Sequence, residues 1–256
     1  MKFMGRDVHA PVRLHKLSVY VAVIAFAATL AVALGTGRAG AASKVVVLGA
    51  AAPATPACPE GCQAIGKVTG FQQQIGQRKN PFRVPSRGRI VAWSIKLAAP
   101  NQAQMDFFKN FYGGSPEARI SVLKPITKKV KAGKPIYKLK SQSPIEDLTG
   151  YLGTTTTFTL QAPLKVNTNQ IVALTSKTWV PAFAVNLPQD SVWRAGRQRG
   201  KCTNADDIKA GSAHETVGQN RLYGCIYKTA RLLYSATLVQ DPSAPSKKKK
   251  KKQPQT

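Results

Sequence analysis

Hydrophobic and polar residues alternate along most of the chain from Gln63 onward. In GRIVAWSIKL, Val91, Trp93, Ile95 and Leu97 point one way and Ile90, Ala92, Ser94 and Lys96 the other, the period-two pattern of a strand with one core face. TTTTFTLQ sets Thr156, Phe158 and Leu160 against Thr155, Thr157, Thr159 and Gln161, and such a density of β-branched residues favours extended chain. ARISVLKPI, QIVALTSKTWVPAF and IYKTARLLYSATLV are further runs of the same kind, and NPFRVPSRG, YGGSPE, KAGKP and NTNQ punctuate them with turn formers. Roughly seven to nine short strands separated by turns predict an all-β chain, a single two-layer β-sandwich of jelly-roll or immunoglobulin-like type. One segment, NQAQMDFFKNF, has helical spacing; Asn101 is placed to cap it, with Met105 and Phe108 turned inward.

The pattern changes at both ends. Lys2, Arg6, Arg13 and Lys16 precede an uncharged apolar run from Leu17 to Leu34, and Ala39-Gly40-Ala41 offers small residues after it. That is the layout of a secretory signal peptide over residues 1–41, cleaved after Ala41; an uncleaved N-terminal membrane anchor is the alternative, and both export the remainder. Residues 42–62, Ala- and Pro-rich and closed by CPEGC, read as a leader or linker, and residues 63–241 as the sandwich domain. Residues 242–256 contain Lys247, Lys248, Lys249, Lys250, Lys251 and Lys252 among Pro, Ser and Gln, a composition that cannot bury apolar surface and predicts a disordered tail.

Cysteine use agrees with export. An even number in an oxidising compartment is most simply disulfide-bonded, and the expected pairs are Cys58 with Cys62 and Cys202 with Cys225. The CxxxC pair is a weak zinc signal, and no metal or cofactor is expected.

Charge narrows the partners. The formal net charge is +27, and removing the five basic residues and one acid of residues 1–41 leaves +23. Besides the tail, basic residues gather in Arg78, Lys79, Arg83, Arg87 and Arg89, in six lysines from Lys128 to Lys140, and in Arg194, Arg197, Arg199 and Lys201. A single run of this kind suits a solvated loop or a protected edge strand. Six adjacent lysines repel one another and have no folding role, so an anionic partner is their simplest use. The tail and Arg194, Arg197, Arg199 and Lys201 are therefore the expected polyanion-binding residues. An anionic cell-wall polymer or membrane surface is the expected partner; nucleic acid would bind only non-specifically, since no RNP, helix-turn-helix or zinc-finger pattern is present.

The runs PFRVPSRGRIVAWSIKL and VNTNQIVALTSKTWVPAF, with the basic tail, resemble parts of uncharacterised secreted β-sandwich proteins of high-GC Gram-positive bacteria. The resemblance implies export and the sandwich fold; it carries over no activity and no catalytic residue.

Three further candidates complete the inventory. Trp93 lies on the apolar face of its strand and is expected in the core; Trp179 and Trp193 are better placed for a carbohydrate platform, although core or corner packing is the first expectation for them as well. Asn204, Asp206, Asp207, His214 and Glu215 crowd one loop, yet their spacing does not match an EF-hand, so a solvated acidic loop is expected there in place of a Ca²⁺ site. No G-x-S-x-G elbow accompanies His214 and no carboxylate spacing is informative, so a hydrolase is the weaker alternative and a non-enzymatic binding protein the expectation.

Overall fold

The computed structural model describes residues 43–126 and 135–242. In chain order they form β1 (Val45–Leu48), β2 (Ile65–Ile75), β3 (Arg78–Lys79), β4 (Gly88–Lys96), α1 (Gln102–Tyr112), β5 (Glu117–Ile126), β6 (Ile136–Gln142), β7 (Glu146–Asp147), β8 (Thr155–Val166) and β9 (Ile171–Val180). There follow β10 (Phe183–Ala184), β11 (Val192–Ala195), α2 (Ala205–Lys209), β12 (Asn220–Leu222), β13 (Cys225–Tyr227), β14 (Arg231–Leu232) and β15 (Tyr234–Gln240). The class is all-β. The segment read as a signal peptide and the six tail lysines lie outside the described residues. Among those described, no helix is long and apolar enough to cross a membrane.

All strand pairing is antiparallel. One sheet has the order β1-β15-β4-β8, the larger one β12-β6-β5-β9-β2-β11-β13, with β3 beside β2 and β7 beside β5; β10 and β14 form a separate pair. One apolar cluster draws on both sheets, with Trp93, Ile95 and Leu238 from the smaller and Val68, Ile120 and Leu174 from the larger. Phe82 stacks on Tyr234 at 4.1 Å, and the Tyr234 hydroxyl donates to the Val172 carbonyl at 3.0 Å, tying β15 to β9 through the core.

Side-chain alternation holds in β8, where Thr156 and Phe158 turn toward the protein and Thr155, Thr157 and Thr159 toward solvent. It breaks in β4. Thr237 pairs with Ala92 but Leu238 with Ile90, so Val91 is an extra residue on β4. Such a bulge shifts the pleat by one position. Ile90 and Trp93 consequently share the core side, each fully buried, although strict alternation places them on opposite faces.

Helix α1 forms where its cap predicts. The Asn101 side chain accepts from the Gln104 N–H at 3.0 Å, and the Gln104 side chain accepts from the Asn101 N–H at 2.9 Å, a reciprocal capping box. Phe108 packs on Trp179 at 5.1 Å, whereas Met105 is only partly buried.

Residues 43–62 pack against the strands that follow. β1 pairs with β15 along its length, and the Gln240 N–H donates to the Lys44 carbonyl at 2.9 Å. Arg78, Lys96 and Arg231 then donate to the carbonyls of Ala50, Ala54 and Ala52. Both disulfides form as expected, Cys58–Cys62 and Cys202–Cys225.

Between β11 and β12 the chain makes a long excursion across the larger sheet. A buried polar ladder receives it. Thr69 of β2, Thr175 of β9 and Ser121 of β5 are linked hydroxyl to hydroxyl at 2.9 and 2.7 Å, and Gln142 of β6 donates to Ser121 at 3.0 Å and to the His214 carbonyl at 3.2 Å. The His214 N–H closes the set on Thr69 at 3.0 Å.

Candidate anion-binding site

A cleft of about 590 Å³ opens beside the β5–β6 hairpin and the turn that carries the chain from β8 to β9. Among the described residues its charged lining is Arg83, Lys124 and Lys140, with Asn167, Thr168, Asn169 and Gln170 supplying amides and a hydroxyl, and no carboxylate. Local sequence explains each placement. Asn169 adopts φ +67°, a left-handed value that asparagine tolerates, which folds the turn tightly. The Gln170 side chain accepts from the Asn167 N–H at 2.7 Å and its carbonyl accepts from the Val84 N–H at 2.8 Å, fixing Arg83 beside the turn.

Lys140 reaches the cleft through an irregularity. Val122 pairs with Ser141 and Leu123 with Leu139, so Lys140 is the extra residue of a bulge in β6. Leu139 stays in the core while Lys140 is exposed, a re-aiming that bulges commonly provide.

No salt bridge among the described residues neutralises Arg83, Lys124 or Lys140; the three ion pairs present are Arg119–Glu215, Lys177–Glu215 and Lys201–Asp207. Nearby pairing raises the local potential further. Lys124 faces Lys138 across β5 and β6, and Arg89 faces Lys165 across β4 and β8, with Lys165 two residues before the turn. Like charges directly opposite each other weaken a sheet, so the fold bears a cost that a bound anion would relieve.

The arginines expected to bind polyanions are placed differently. Arg194 is half-buried, donating to the Gln73 side chain at 3.1 Å and the Tyr223 carbonyl at 2.7 Å; burial lowers its pKa. Arg197 donates to the Gly66 carbonyl and the Tyr227 hydroxyl, and Lys201 pairs with Asp207 at 3.3 Å. Arg199 is exposed. The stretch is thus no single solvated basic loop: Arg194 belongs to β11, and Arg197 ties the start of the excursion to β2. Lys247 to Lys252 lie outside the described residues, as do Lys128, Lys129, Lys131 and Lys134.

Trp179 and Trp193 are packed inside the body. Trp179 and Trp193 are each only 2% exposed, so neither offers an open face to a sugar ring. Trp179 donates its indole N–H to the Gly114 carbonyl at 3.1 Å, and Trp193 stacks on Tyr227 at 4.4 Å. Trp93 is in the core.

The acidic segment disperses in three dimensions. Asn204 caps α2 by accepting from the N–H groups of Asp206 and Asp207, Asp207 meets Lys201, and Glu215 accepts from Arg119 at 2.7 Å. No group of three or more His, Cys, Asp or Glu among the described residues is arranged to hold a metal ion. His214 is fully buried, with Nδ1 3.2 Å from the Tyr223 hydroxyl and Nε2 3.0 Å from the Gln219 carbonyl, so neither nitrogen meets a serine or a carboxylate. Comparisons with protein-family models, with curated proteins and with solved structures find no match to this chain.

Proposed function

We propose that this chain is an exported, non-enzymatic two-layer β-sandwich that associates with anionic polymers or membranes at the cell surface. The observation that carries this reading is the cleft formed by Arg83, Lys124 and Lys140, three cations without an acid in the lining and without an ion-pair partner among the described residues. The six lysines of the C-terminal sequence extend the same chemistry, and two disulfides suit an oxidising compartment. Amide groups around the cations add hydrogen-bond donors for phosphate or carboxylate oxygens.

The test is sedimentation of the full chain with isolated cell wall, and with phosphatidylglycerol or phosphatidylcholine vesicles, across a sodium chloride series. Binding to wall or anionic vesicles should fall steeply with salt. The Arg83→Gln/Lys124→Gln/Lys140→Gln variant should reduce the slope of log affinity against log salt by about two to three, if each lost cation behaves as it does on other polyanions. A variant lacking residues 247–256 measures the tail separately. Retention that is insensitive to salt, or equal on both vesicle types and absent from wall, sinks the reading.

A further inference from the structure

A second cleft lies on another part of the molecule, and its chemistry differs from that of the basic one. It holds about 380 Å³ between the start of β2, the end of α1 and the strands β11 and β13. Ile65, Tyr112, Phe183, Val185, Trp193 and Tyr227 give it apolar and aromatic surface, and Gln63, Asn186 and Thr229 add polar groups. Among the described residues its charged lining is Arg197 and Lys228, with no carboxylate. That volume, with aromatic and branched surface beside convergent polar groups, suits a small amphipathic ligand.

Arg197 is built into the wall. Its Nη1 donates to the Tyr227 hydroxyl at 3.2 Å and its Nη2 to the Gly66 carbonyl at 2.8 Å; Tyr227 in turn donates to the Cys202 carbonyl at 2.6 Å. Gly66 permits this because any side chain there would collide with the Tyr112 ring and the Thr178 carbonyl. A guanidinium has five N–H donors, and two of them meet acceptors among the described residues. The Nε–H is buried without a partner, and no carboxylate among the described residues pairs with the charge. A partly buried, under-satisfied cation is costly unless an anion completes it. Tyr112 marks the same field: burial pushes its phenol up, and the Arg197 charge opposes that rise.

We propose that this cleft binds a small amphipathic carboxylate, with its acid group on Arg197 and its aromatic or branched body against Tyr112, Tyr227 and Val185. Lys228 at the exposed rim favours entry of an anion. The site is separate from the basic cleft, which is lined by other residues throughout.

The probe pair is 4-phenylbutyrate and its neutral analogue 4-phenyl-1-butanol, titrated into the full chain with tryptophan fluorescence and amide chemical shifts as readouts. The acid should bind saturably, shift the amides of Gly66, Tyr227 and Thr229, and exceed the alcohol by about tenfold or more in affinity, the margin of a charge-assisted contact. Arg197→Gln should remove that margin and leave the alcohol's affinity unchanged. Because Arg197 also braces the fold, Val185→Trp serves as the second variant; it fills the cleft, keeps Arg197, and should abolish binding of both probes. Equal affinities for acid and alcohol overturn the proposal, as does absence of saturable binding up to about 10 mM, weaker than any useful small-ligand site. Shifts confined to Arg83, Lys124 and Asn169 would overturn it too while leaving the polyanion reading intact.

Discussion

His214 is held neutral by its surroundings. Burial is the main cause of its lowered pKa and the Arg221 charge the second, while the hydrogen bond to the Gln219 carbonyl acts in the other direction. Folding therefore weakens its hold on a proton. The unfolded chain takes that proton up as pH falls through the ordinary value of 6.5, so the stability carried by the neutral ring is complete above that pH and is lost toward the lower folded value. Thermal melts between about pH 7.5 and 5.5 should show stability falling by at most about 1.4 kcal/mol per pH unit from this group, and His214→Gln should flatten the profile over that window. A profile unchanged by the substitution would place the titration elsewhere. Gly88 offers a second check at this scale. A β-carbon there would strike the Val239 carbonyl and the Gln240 Cα, which are backbone and cannot swing aside. Gly88→Ala should cost about 1–3 kcal/mol, read as a lowered midpoint in urea.

At the level of elements, the excursion from β11 to β12 depends on a few fastenings. The Cys202–Cys225 bridge spans 23 residues, and it works with the Arg119–Glu215 pair and the polar ladder on Thr69, Thr175 and Ser121. Replacing both cysteines by alanine should lower stability by about 3 kcal/mol. Amide exchange should accelerate more in residues 205–224 than in β4 or β9; uniform acceleration would show that the excursion is no separate unit. Strands β5, β8 and β9 were legible from their runs of apolar and β-branched residues, and Asn101 announced α1. β2 was not. Its GKVTGFQQQ has poor strand formers, and Gln72 is tolerated inside because its amide donates to the carbonyls of Gln74 and Ala230 and accepts from the Leu232 N–H. IYKTARLLYSATLV reads as one run yet divides among β13, β14 and β15, with Thr229 at φ +57° between the first two. The basic cleft was half visible. Arg83 and Lys140 stood in basic stretches, but a bulge that turns Lys140 outward depends on pairing with β5, which one strand's sequence does not reveal. The Arg197 cleft was hidden because it joins segments more than 100 residues apart, and Trp193 stood between core and platform in the sequence because burial is set by partners such as Tyr227 and Phe183.

For the molecule as a whole, unneutralised charge links binding to stability. Cross-strand repulsion at Lys124–Lys138 and Arg89–Lys165 is a property of the unliganded state, and any polyanion that prefers the folded surface raises the unfolding free energy. Polyphosphate at about one hundred times its Kd should add about 2.7 kcal/mol, and the Arg83→Gln/Lys124→Gln/Lys140→Gln variant should gain less at the same concentration; an equal gain, measured by calorimetry, would detach the cleft from the effect. The pairing of β1 with β15 reaches in a different direction. Since the Gln240 N–H meets the Lys44 carbonyl, the body starts and finishes at one spot on the edge of a sheet, and only a short turn separates it from being an endless ring. Stitching Pro242 to Ser43 through a few glycines and cutting instead at exposed Gly150, whose surroundings are open, should give a circular permutant with the same two sheets.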